Sequence, residues 1–274
     1  MDKYCVFGNP ISHSRSPIIH QIFAEQTNQA LTYTTQLAPK DGFAQAVNDF
    51  ITAGGKGANV TLPFKEQALH LCDQLSEAAE QACAVNTLSF INDKIVGDNT
   101  DGFGLVQDLL RNKLTLKGSR ILLLGAGGAA KGIILPLLAQ NPESITIANR
   151  TISKAEQLYK QFNDEKIQAC GFEQIPLLPF DIIINATSAS LSGTFPEISA
   201  DLIINTTACY DMVYGKELTP FLLWAQQQGA AKVIDGLGML VGQAAVSFKI
   251  WRNIMPEIYP VIKQLKEKLE TEKT

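Results

Sequence analysis

Apolar positions along this chain follow two alternating patterns, short β-rich runs and longer stretches with helical spacing. In the first hundred residues, β-like runs occur at 4–8, 31–37 and 57–61, and residues 85–96 read as a hairpin around Asn92-Asp93. Between them, apolar residues recur at helical spacing, as at Phe43, Val47 and Phe50. The pattern predicts an α/β region at the start of the chain.

From about residue 100 the β-rich runs become continuously apolar, as expected of strands that are buried on both faces of a parallel sheet. Such runs occur at 120–124, 144–148, 181–184, 202–204 and 232–234, and helical stretches separate them. This alternation predicts a second, Rossmann-like region with a doubly wound parallel sheet. A long helical pattern at 240–254 follows it.

Length and composition narrow the class of protein. A chain of 274 residues is long enough for two domains. Its 23 Lys and Arg against 27 Asp and Glu give a net charge of -4, which argues against nucleic-acid binding driven by bulk charge. The five cysteines form no C-x-x-C pair, which is typical of reduced thiols in the cytoplasm.

Several other classes of site and segment are not expected. The start of the chain lacks the basic and apolar regions of a signal peptide. The most apolar stretch, 121–139, is interrupted by Lys131 and by glycines, so no membrane span is predicted. The three histidines lack metal-ligand spacing with one another or with cysteine, so no metal site is predicted either.

A glycine-rich segment from Gly125 to Ala130 lies directly after the apolar run at 120–124 and directly before a helical stretch. It matches G-x-G-x-x-A in the context that a dinucleotide-binding loop requires. Gly125 would allow the tight turn, Gly127 a close approach of the backbone to a pyrophosphate, and Ala130 close packing of the helix. The alternative is a tight β–α turn without a ligand.

The residues after the second strand of this region indicate which nicotinamide cofactor is bound. An NAD site places Asp or Glu there to hold the ribose 2′-hydroxyl. This chain instead has Asn149-Arg150-Thr151, with Lys154 close behind. A guanidinium can pair with the 2′-phosphate of NADP and stack on the adenine, so NADP is favoured. The alternative, a surface arginine at a helix start, is disfavoured because that end of a helix repels cations.

Polar clusters in the first hundred residues are candidates for substrate binding and acid–base chemistry. Ser14 and Ser16 precede a helix, where they could bind a carboxylate, although helix capping is the better explanation on chemistry alone. Asn59 and Thr61 share one face of a strand. Lys65 follows at the start of a helix, where a lysine needs a carboxylate partner or a ligand, unless it is simply a surface lysine.

A third cluster holds the carboxylates Asp98 and Asp101, with Asn86 upstream. Each aspartate could cap the helix that follows. The functional alternative requires one of them to pair with Lys65.

Taken together, these segments resemble the shikimate dehydrogenase family over essentially the whole chain. The resemblance is carried by 8–17 (GNPISHSRSP), 59–65 (NVTLPFK), 86–87 (NT), 98–102 (DNTDG), 125–130, 149–151 (NRT), 185–188 (NATS), 210–214 (YDMVY), 235–240 (DGLGML) and 243–245 (QAA). Small departures occur at Val246 and at 206–209. Neither departure removes a group to which the resemblance assigns a role.

The resemblance implies a role for each matching position. Lys65 and Asp101 are the catalytic pair, with Lys65 as the proton carrier and Asp101 as its orienting partner. The implied substrate contacts are Ser14, Ser16 and Tyr214 at a carboxylate, and Asn59, Thr61, Asn86 and Gln243 at ring hydroxyls. The implied cofactor contacts are Gly125, Ala126, Gly127, Gly128 and Ala129 at the pyrophosphate, Asn149, Arg150, Thr151 and Lys154 at the 2′-phosphate and adenine, and Thr187, Met212, Gly236 and Met239 at the nicotinamide end.

The resemblance also implies an activity and a domain plan. The activity is the reversible, NADPH-dependent reduction of 3-dehydroshikimate to shikimate in chorismate and aromatic amino-acid biosynthesis, in the cytoplasm. Residues 1–101 with 237–274 form a substrate-binding catalytic domain, and 102–236 form an NADP-binding Rossmann domain. Because Gln243 lies on the long helix after residue 237, the chain end is expected to return to the first domain.

Alternative functions stay open at this point. One is a quinate/shikimate dehydrogenase with relaxed cofactor use, and another is a non-catalytic NADP-binding sensor on the same fold. The expected partner is a small-molecule substrate, with no nucleic acid and no membrane. A homodimer is the candidate assembly.

Overall fold

The computed structural model describes residues 1–271, which form two compact units. The first unit comprises Met1–Gly104 and Leu240–Leu265. The second comprises Leu105–Met239 and residues 266–271. Over residues 1–271, no helix is both long enough and apolar enough to cross a bilayer.

A mixed sheet with the strand order β2-β1-β3-β5-β6-β4 forms the centre of the first unit. Its strands are β1 (Asp2–Gly8), β2 (Leu31–Leu37), β3 (Gly55–Val60), β4 (Gln74–Leu75), β5 (Thr87–Ile91) and β6 (Lys94–Asp98). The helices along this part of the chain are α1 (Ser16–Gln26), α2 (Phe43–Thr52), α3 (Lys65–Leu71) and α4 (Glu77–Ala82), and α5 (Asp101–Arg111) begins here. β1 pairs in parallel with β2 and β3, whereas β5 is antiparallel to β3 and β6.

The hairpin predicted in this unit is confirmed. The hairpin between β5 and β6 turns at Asn92 and Asp93, which have φ of 50° and 61°, and positive φ at both central residues is typical of a tight hairpin turn. The long helix α9 (Leu237–Arg252) returns to this unit. Its Trp251 stacks on Tyr4 of β1 at 4.6 Å and donates a hydrogen bond to the Leu88 carbonyl of β5.

The second unit contains an entirely parallel sheet with the order β12-β11-β10-β7-β8-β9. Its strands are β7 (Arg120–Leu124), β8 (Ser144–Ala148), β9 (Ile167–Cys170), β10 (Ile182–Asn185), β11 (Ala208–Asp211) and β12 (Lys232–Ile234). The helices between them are α6 (Gly128–Leu138), α7 (Ile152–Phe162) and α8 (Pro220–Gln227), and α10 (Ile258–Thr271) ends the described chain. This order reverses direction between β7 and β10, as in a Rossmann fold, so the predicted doubly wound sheet is confirmed.

One predicted strand is wrong. Residues 202–204 are not a strand: a 3-10 turn spans Ala200–Leu202, and the strand of this region is β11, six residues later. Leu202 and Ile203 are buried in a hydrophobic cluster with side chains of the sheet, but they do not pair within the sheet. A short apolar run identifies burial and does not distinguish a strand from a buried turn.

Candidate active site

Lys65 and Asp101 form a close ion pair at the start of two helices. Lys65 is the first residue of α3 and Asp101 the first of α5, and Nζ lies 2.5 Å from Oδ2. The lysine side chain keeps 21 % of its surface exposed and the aspartate side chain 9 %. The neighbouring Asp98 is used differently, since its Oδ1 accepts hydrogen bonds from Ser76 and from the Asn99 backbone. The carboxylate is therefore enclosed, and the lysine side chain stays partly exposed.

The second carboxylate oxygen of Asp101 is held by an amide. Asn86 Nδ2 donates to Asp101 Oδ1 at 2.9 Å. Asn86 is itself oriented, because its Oδ1 accepts from the backbone N–H of Thr100 at 2.9 Å. Both oxygens of Asp101 thus accept a hydrogen bond, one from Lys65 and one from Asn86. This arrangement fixes the rotation of the carboxylate and, through it, the position of the lysine Nζ.

Gln243 joins this cluster from α9. Its Oε1 lies 3.4 Å from Asn86 Nδ2 and 3.5 Å from Thr100 Oγ1, and its Nε2 donates to the Leu240 carbonyl. Ser247, one turn further along α9, contacts the Thr100 hydroxyl at 3.3 Å. A helix that is distant in sequence therefore supplies polar groups directly beside the Lys65–Asp101 pair.

Asn59 and Thr61 lie at the end of β3 and just beyond it. Asn59 is buried, and its Nδ2 donates to Ser247 Oγ at 2.9 Å, which connects it to the same cluster. Thr61 is half-buried, and its methyl group packs closely on Gly8. A Cβ added to Gly8 would lie 2.6 Å from the Thr61 methyl carbon. The Thr61 backbone N–H also donates to the Phe7 carbonyl of β1 at 2.9 Å.

Ser14 and Ser16 lie at the start of α1. The hydroxyl of Ser14 accepts a long hydrogen bond, 3.3 Å, from the Ser16 backbone N–H. The N-cap residue of α1 is Arg15, and no side chain caps the helix there. Capping thus explains little about these serines. Ser16 is buried beside Tyr33. Burial raises the pKa of the Tyr33 hydroxyl well above its ordinary value, and a hydrogen bond with Ser16 lowers that pKa by a smaller amount.

The glycine loop of the second unit has the geometry of an anion site. Gly125 follows β7 with φ of +110°, a left-handed conformation that favours glycine. α6 begins at Gly128, and no side chain caps its N-cap residue Gly127. A Cβ at either Gly127 or Gly128 would meet nothing within 4 Å, so the space before these backbone N–H groups is open. The Gly125 to Ala129 segment therefore fits the pyrophosphate of a dinucleotide.

The segment after β8, residues 149–154, contains two cationic side chains and no carboxylate. Asn149 Nδ2 donates to the Thr151 carbonyl at 2.9 Å, which shapes the turn, and Thr151 is the N-cap residue of α7. Arg150 and Lys154 are exposed, and the first turn of α7 contains no acidic residue. An exposed guanidinium at this strand end fits the 2′-phosphate of NADP.

The predicted nicotinamide-end residues follow the adjacent strands β10, β11 and β12. The Thr187 methyl group lies 3.1 Å from where a Cβ on Gly125 would be, so Thr187 borders the glycine loop. A Cβ on Gly236 would lie 2.2 Å from the Met212 carbonyl oxygen, and only glycine permits that approach. Met212 and Met239 pack in one hydrophobic cluster. Tyr214 is half-buried in this second unit, two residues after Met212.

Sequence reasoning assigned no role to four polar residues next to the proposed site. They are the half-buried Tyr33 and the buried Thr87, Thr100 and Ser247, and their hydrogen bonds hold Asn59, Asn86 and Gln243. Thr87 and Thr100 lie within segments that carry the family resemblance, and Ser247 is a lone hydroxyl in the apolar stretch of α9. Within residues 1–271, no group of His, Cys, Asp and Glu side chains could hold a metal ion, and none of the five cysteines forms a disulfide.

Comparisons with known proteins agree with this architecture. Residues 6–88 match the family described as shikimate dehydrogenase substrate binding domain. Residues 108–193 match shikimate / quinate 5-dehydrogenase, and residues 236–266 match the shikimate 5'-dehydrogenase C-terminal domain.

Curated relatives and solved structures extend the similarity over the whole chain. The chain is 61 % identical over 269 residues to shikimate dehydrogenase (NADP(+)) of Colwellia psychrerythraea, covering 98 % of each chain. It is 55 % identical over 272 residues to the Photobacterium profundum protein of the same name, covering 98 % of this chain and all of the relative. The shikimate 5-dehydrogenase of Thermus thermophilus, solved with NADP(H) and shikimate, superposes with a TM-score of 0.88 at 30 % identity, covering 98 % of this chain and 100 % of that one. The chain belongs to the shikimate dehydrogenase family.

Proposed function

We propose that this chain catalyses the reversible NADPH-dependent reduction of 3-dehydroshikimate to shikimate. The observation that carries the proposal is the Lys65–Asp101 pair, whose Nζ–Oδ2 distance is 2.5 Å and whose lysine side chain remains partly exposed. The relatives named shikimate dehydrogenase (NADP(+)) support the substrate and the cofactor together.

The proposal divides the work between two domains. Residues 1–101 with 237–274 bind the substrate and supply the acid–base pair, and residues 102–236 bind NADP. Ser14, Ser16 and Tyr214 are assigned to the substrate carboxylate, and Asn59, Thr61, Asn86 and Gln243 to its hydroxyls. Several of the hydroxyl-binding residues already share hydrogen bonds with one another and with Asp101, which supports their assignment to one site.

Lys65 is the proton-transfer group of the proposed mechanism. In the reductive direction its Nζ donates a proton to the substrate oxygen as the carbonyl becomes a hydroxyl, and in the oxidative direction Nζ takes that proton back. Asp101 Oδ2 accepts a hydrogen bond from the same nitrogen and so aims it. Asn86 holds the other carboxylate oxygen, which prevents Asp101 from rotating away.

The cofactor supplies or accepts the hydride when it is bound. Gly125, Ala126, Gly127, Gly128 and Ala129 are assigned to its pyrophosphate, and Asn149, Arg150, Thr151 and Lys154 to its 2′-phosphate and adenine. Thr187, Met212, Gly236 and Met239 are assigned to its nicotinamide end. The open space before Gly127 and Gly128 and the exposed Arg150 support these assignments.

We also propose that the enzyme works in the cytoplasm and forms a homodimer. Five cysteines without a disulfide suit a reducing compartment. Cell fractionation tests the location, and light scattering of the purified protein tests the dimer. A monomeric mass at working concentration would contradict the dimer without affecting the proposed reaction.

The activity is tested by following NADPH absorbance with purified protein and shikimate. NADP and NAD are compared in parallel, and quinate then replaces shikimate. Reduction of NADP with shikimate alone is the expected result. Comparable rates with quinate or NAD would contradict the stated specificity and favour the broader quinate/shikimate enzyme. NADP binding without turnover of either substrate would contradict the proposed catalysis and favour a sensor.

A further inference from the structure

The side-chain amide of Asn59 can adopt only one of its two orientations. Its Nδ2 lies 3.1 Å from the backbone carbonyl oxygen of Asn86, and a carbonyl oxygen can only accept a hydrogen bond. Rotating the amide by half a turn would place two acceptor oxygens against each other at a buried position. Nδ2 must therefore face Asn86, and Oδ1 must face the other way.

The remaining neighbours of Nδ2 are arranged to accept its hydrogens. Nδ2 lies 2.9 Å from Ser247 Oγ and 3.2 Å from Thr87 Oγ1. The Ser247 hydroxyl can donate its own proton to the Gln243 carbonyl at 3.1 Å, and the Thr87 hydroxyl can donate to Asn86 Oδ1 at 2.8 Å. Both hydroxyl oxygens are then available as acceptors. The donor end of Asn59 is thus fully occupied by the protein.

The acceptor end of Asn59 is held by a tyrosine. Tyr33 Oη donates to Asn59 Oδ1 at 2.7 Å. A carbonyl oxygen has two lone pairs, so Oδ1 has the capacity to accept a second hydrogen bond. We propose that Tyr33 is a positioning residue that presents Asn59 to the substrate as a hydrogen-bond acceptor only, so that the substrate must place a hydroxyl there and not a carbonyl or ether oxygen. This inference rests on the proposed function, in which Asn59 contacts a ring hydroxyl.

Tyr33 is built to keep this position. Its ring stacks on the imidazole of His20, with centroids 4.1 Å apart and planes within 4°. His20 in turn packs against Phe23, Phe248 and Trp251. Burial raises the pKa of Tyr33 well above its ordinary value, so the hydroxyl keeps its proton and stays a donor at neutral pH. The stack sets where Oη lies, and Oη holds the acceptor end of an amide whose orientation the Nδ2 contacts already select.

Substrate specificity follows from this arrangement. A buried acceptor that meets another acceptor is left without a hydrogen bond, and sites built to bind a hydroxyl reject analogues that lack it. Without the Tyr33 hydroxyl, the Asn59 amide loses the contact that holds Oδ1 in place. Ground-state binding and transition-state binding would then weaken together, which raises KM and leaves kcat nearly unchanged.

The first test compares Tyr33→Phe with Tyr4→Phe in the complete enzyme. Tyr33→Phe removes Oη and keeps the ring stacked on His20. Tyr4 is a matched control because it pairs with Tyr33 in the register of β1 and β2, while its hydroxyl interacts with Arg252. Loss of one hydrogen bond should raise the KM for shikimate about 3- to 10-fold in Tyr33→Phe, with kcat within about twofold and the KM for NADP unchanged. Tyr4→Phe should change neither constant.

Two outcomes of this comparison would overturn the inference. One is an unchanged KM for shikimate in Tyr33→Phe. The other is a parallel loss of kcat and of thermal stability in both variants, which would indicate a structural role only. An unmodified protein that fails to oxidise shikimate would refute the proposed function itself, so the two failures are distinguishable.

A second variant tests the amide orientation without altering Tyr33. In Asn59→Asp the oxygen that replaces Nδ2 faces the Asn86 carbonyl, and only a protonated carboxyl can donate there. The ratio of kcat/KM in Asn59→Asp to kcat/KM in the unmodified enzyme should therefore rise as the pH falls. If the ratio of the two kcat/KM values stayed constant, or decreased, as the pH was lowered, the donor end of Asn59 would not be directed at Asn86.

Discussion

Replacing Lys65 by alanine should abolish most of the turnover and leave substrate binding largely intact. The change removes the Nζ that lies 2.5 Å from Asp101 Oδ2, and with it the proton donor of the reductive direction. General acid–base catalysis contributes about 10²- to 10⁴-fold, so we expect kcat to fall about 10³-fold, or about 4 kcal/mol of transition-state stabilisation. The contacts assigned to the substrate hydroxyls do not involve Nζ. The KM for shikimate should therefore change by less than about fivefold.

The assay is initial-rate NADPH absorbance with shikimate and NADP varied separately. Lys94→Ala is the matched control, because Lys94 is an exposed lysine of the same unit, at the start of β6 in the hairpin. It should retain kcat and KM within about twofold of the unmodified enzyme, as surface substitutions have small effects. Thermal unfolding of both variants shows whether the fold is intact.

A near-normal kcat in a folded Lys65→Ala enzyme would refute the assignment of Lys65 as the proton carrier. A large rise in KM with an unchanged kcat would refute it as well, because that result describes a residue that only binds. If Asp101→Asn lost as much activity as Lys65→Ala and the double variant lost no more, the two residues would act as a unit, as the 2.5 Å contact implies.

Three further predictions concern the cofactor site and the core. Arg150→Ala should raise the KM for NADP by about tenfold or more and leave the KM for NAD unchanged, since only NADP has a 2′-phosphate for the guanidinium; equal effects on both would contradict the assignment. Gly236→Ala should lower thermal stability and raise the KM for NADP, because its Cβ would lie 2.2 Å from the Met212 carbonyl; unchanged values would mean that the loop moves freely. Burial lowers the pKa of His20 to about 3, below its usual value near 6.5, so the unfolded chain binds the extra proton and stability is lost as the pH falls below 6.5. Between about pH 7 and about pH 5, the free energy of unfolding, measured with denaturant, should fall by about 2 kcal/mol less in His20→Gln than in the unmodified protein. Identical pH profiles of the two proteins would contradict a buried neutral His20.

Much of the cofactor region could be predicted because its signals are local. Gly125 needs a left-handed backbone at a strand-to-helix turn, and that requirement is visible in the order of strand, glycine and helix. Arg150 is informative because a carboxylate would otherwise stand at the end of the second strand. The error at 202–204 has the opposite origin. Leu202 and Ile203 are as apolar as a strand, and only their position beneath the sheet shows that they belong to a turn.

The sequence by itself determined the α/β class, the doubly wound sheet, the glycine loop and the polar residue types available for catalysis. These properties follow from hydrophobic periodicity and from backbone requirements within a few residues. The residue types alone left open whether Lys65 pairs with Asp98 or Asp101, the family resemblance implied Asp101, and the structure shows that contact. Only the tertiary structure decided which way the Asn59 amide faces. The contact between Asn59 and Ser247 joins residues 188 positions apart. Such contacts depend on how strands and helices pack, and no local pattern encodes which distant donor meets which acceptor.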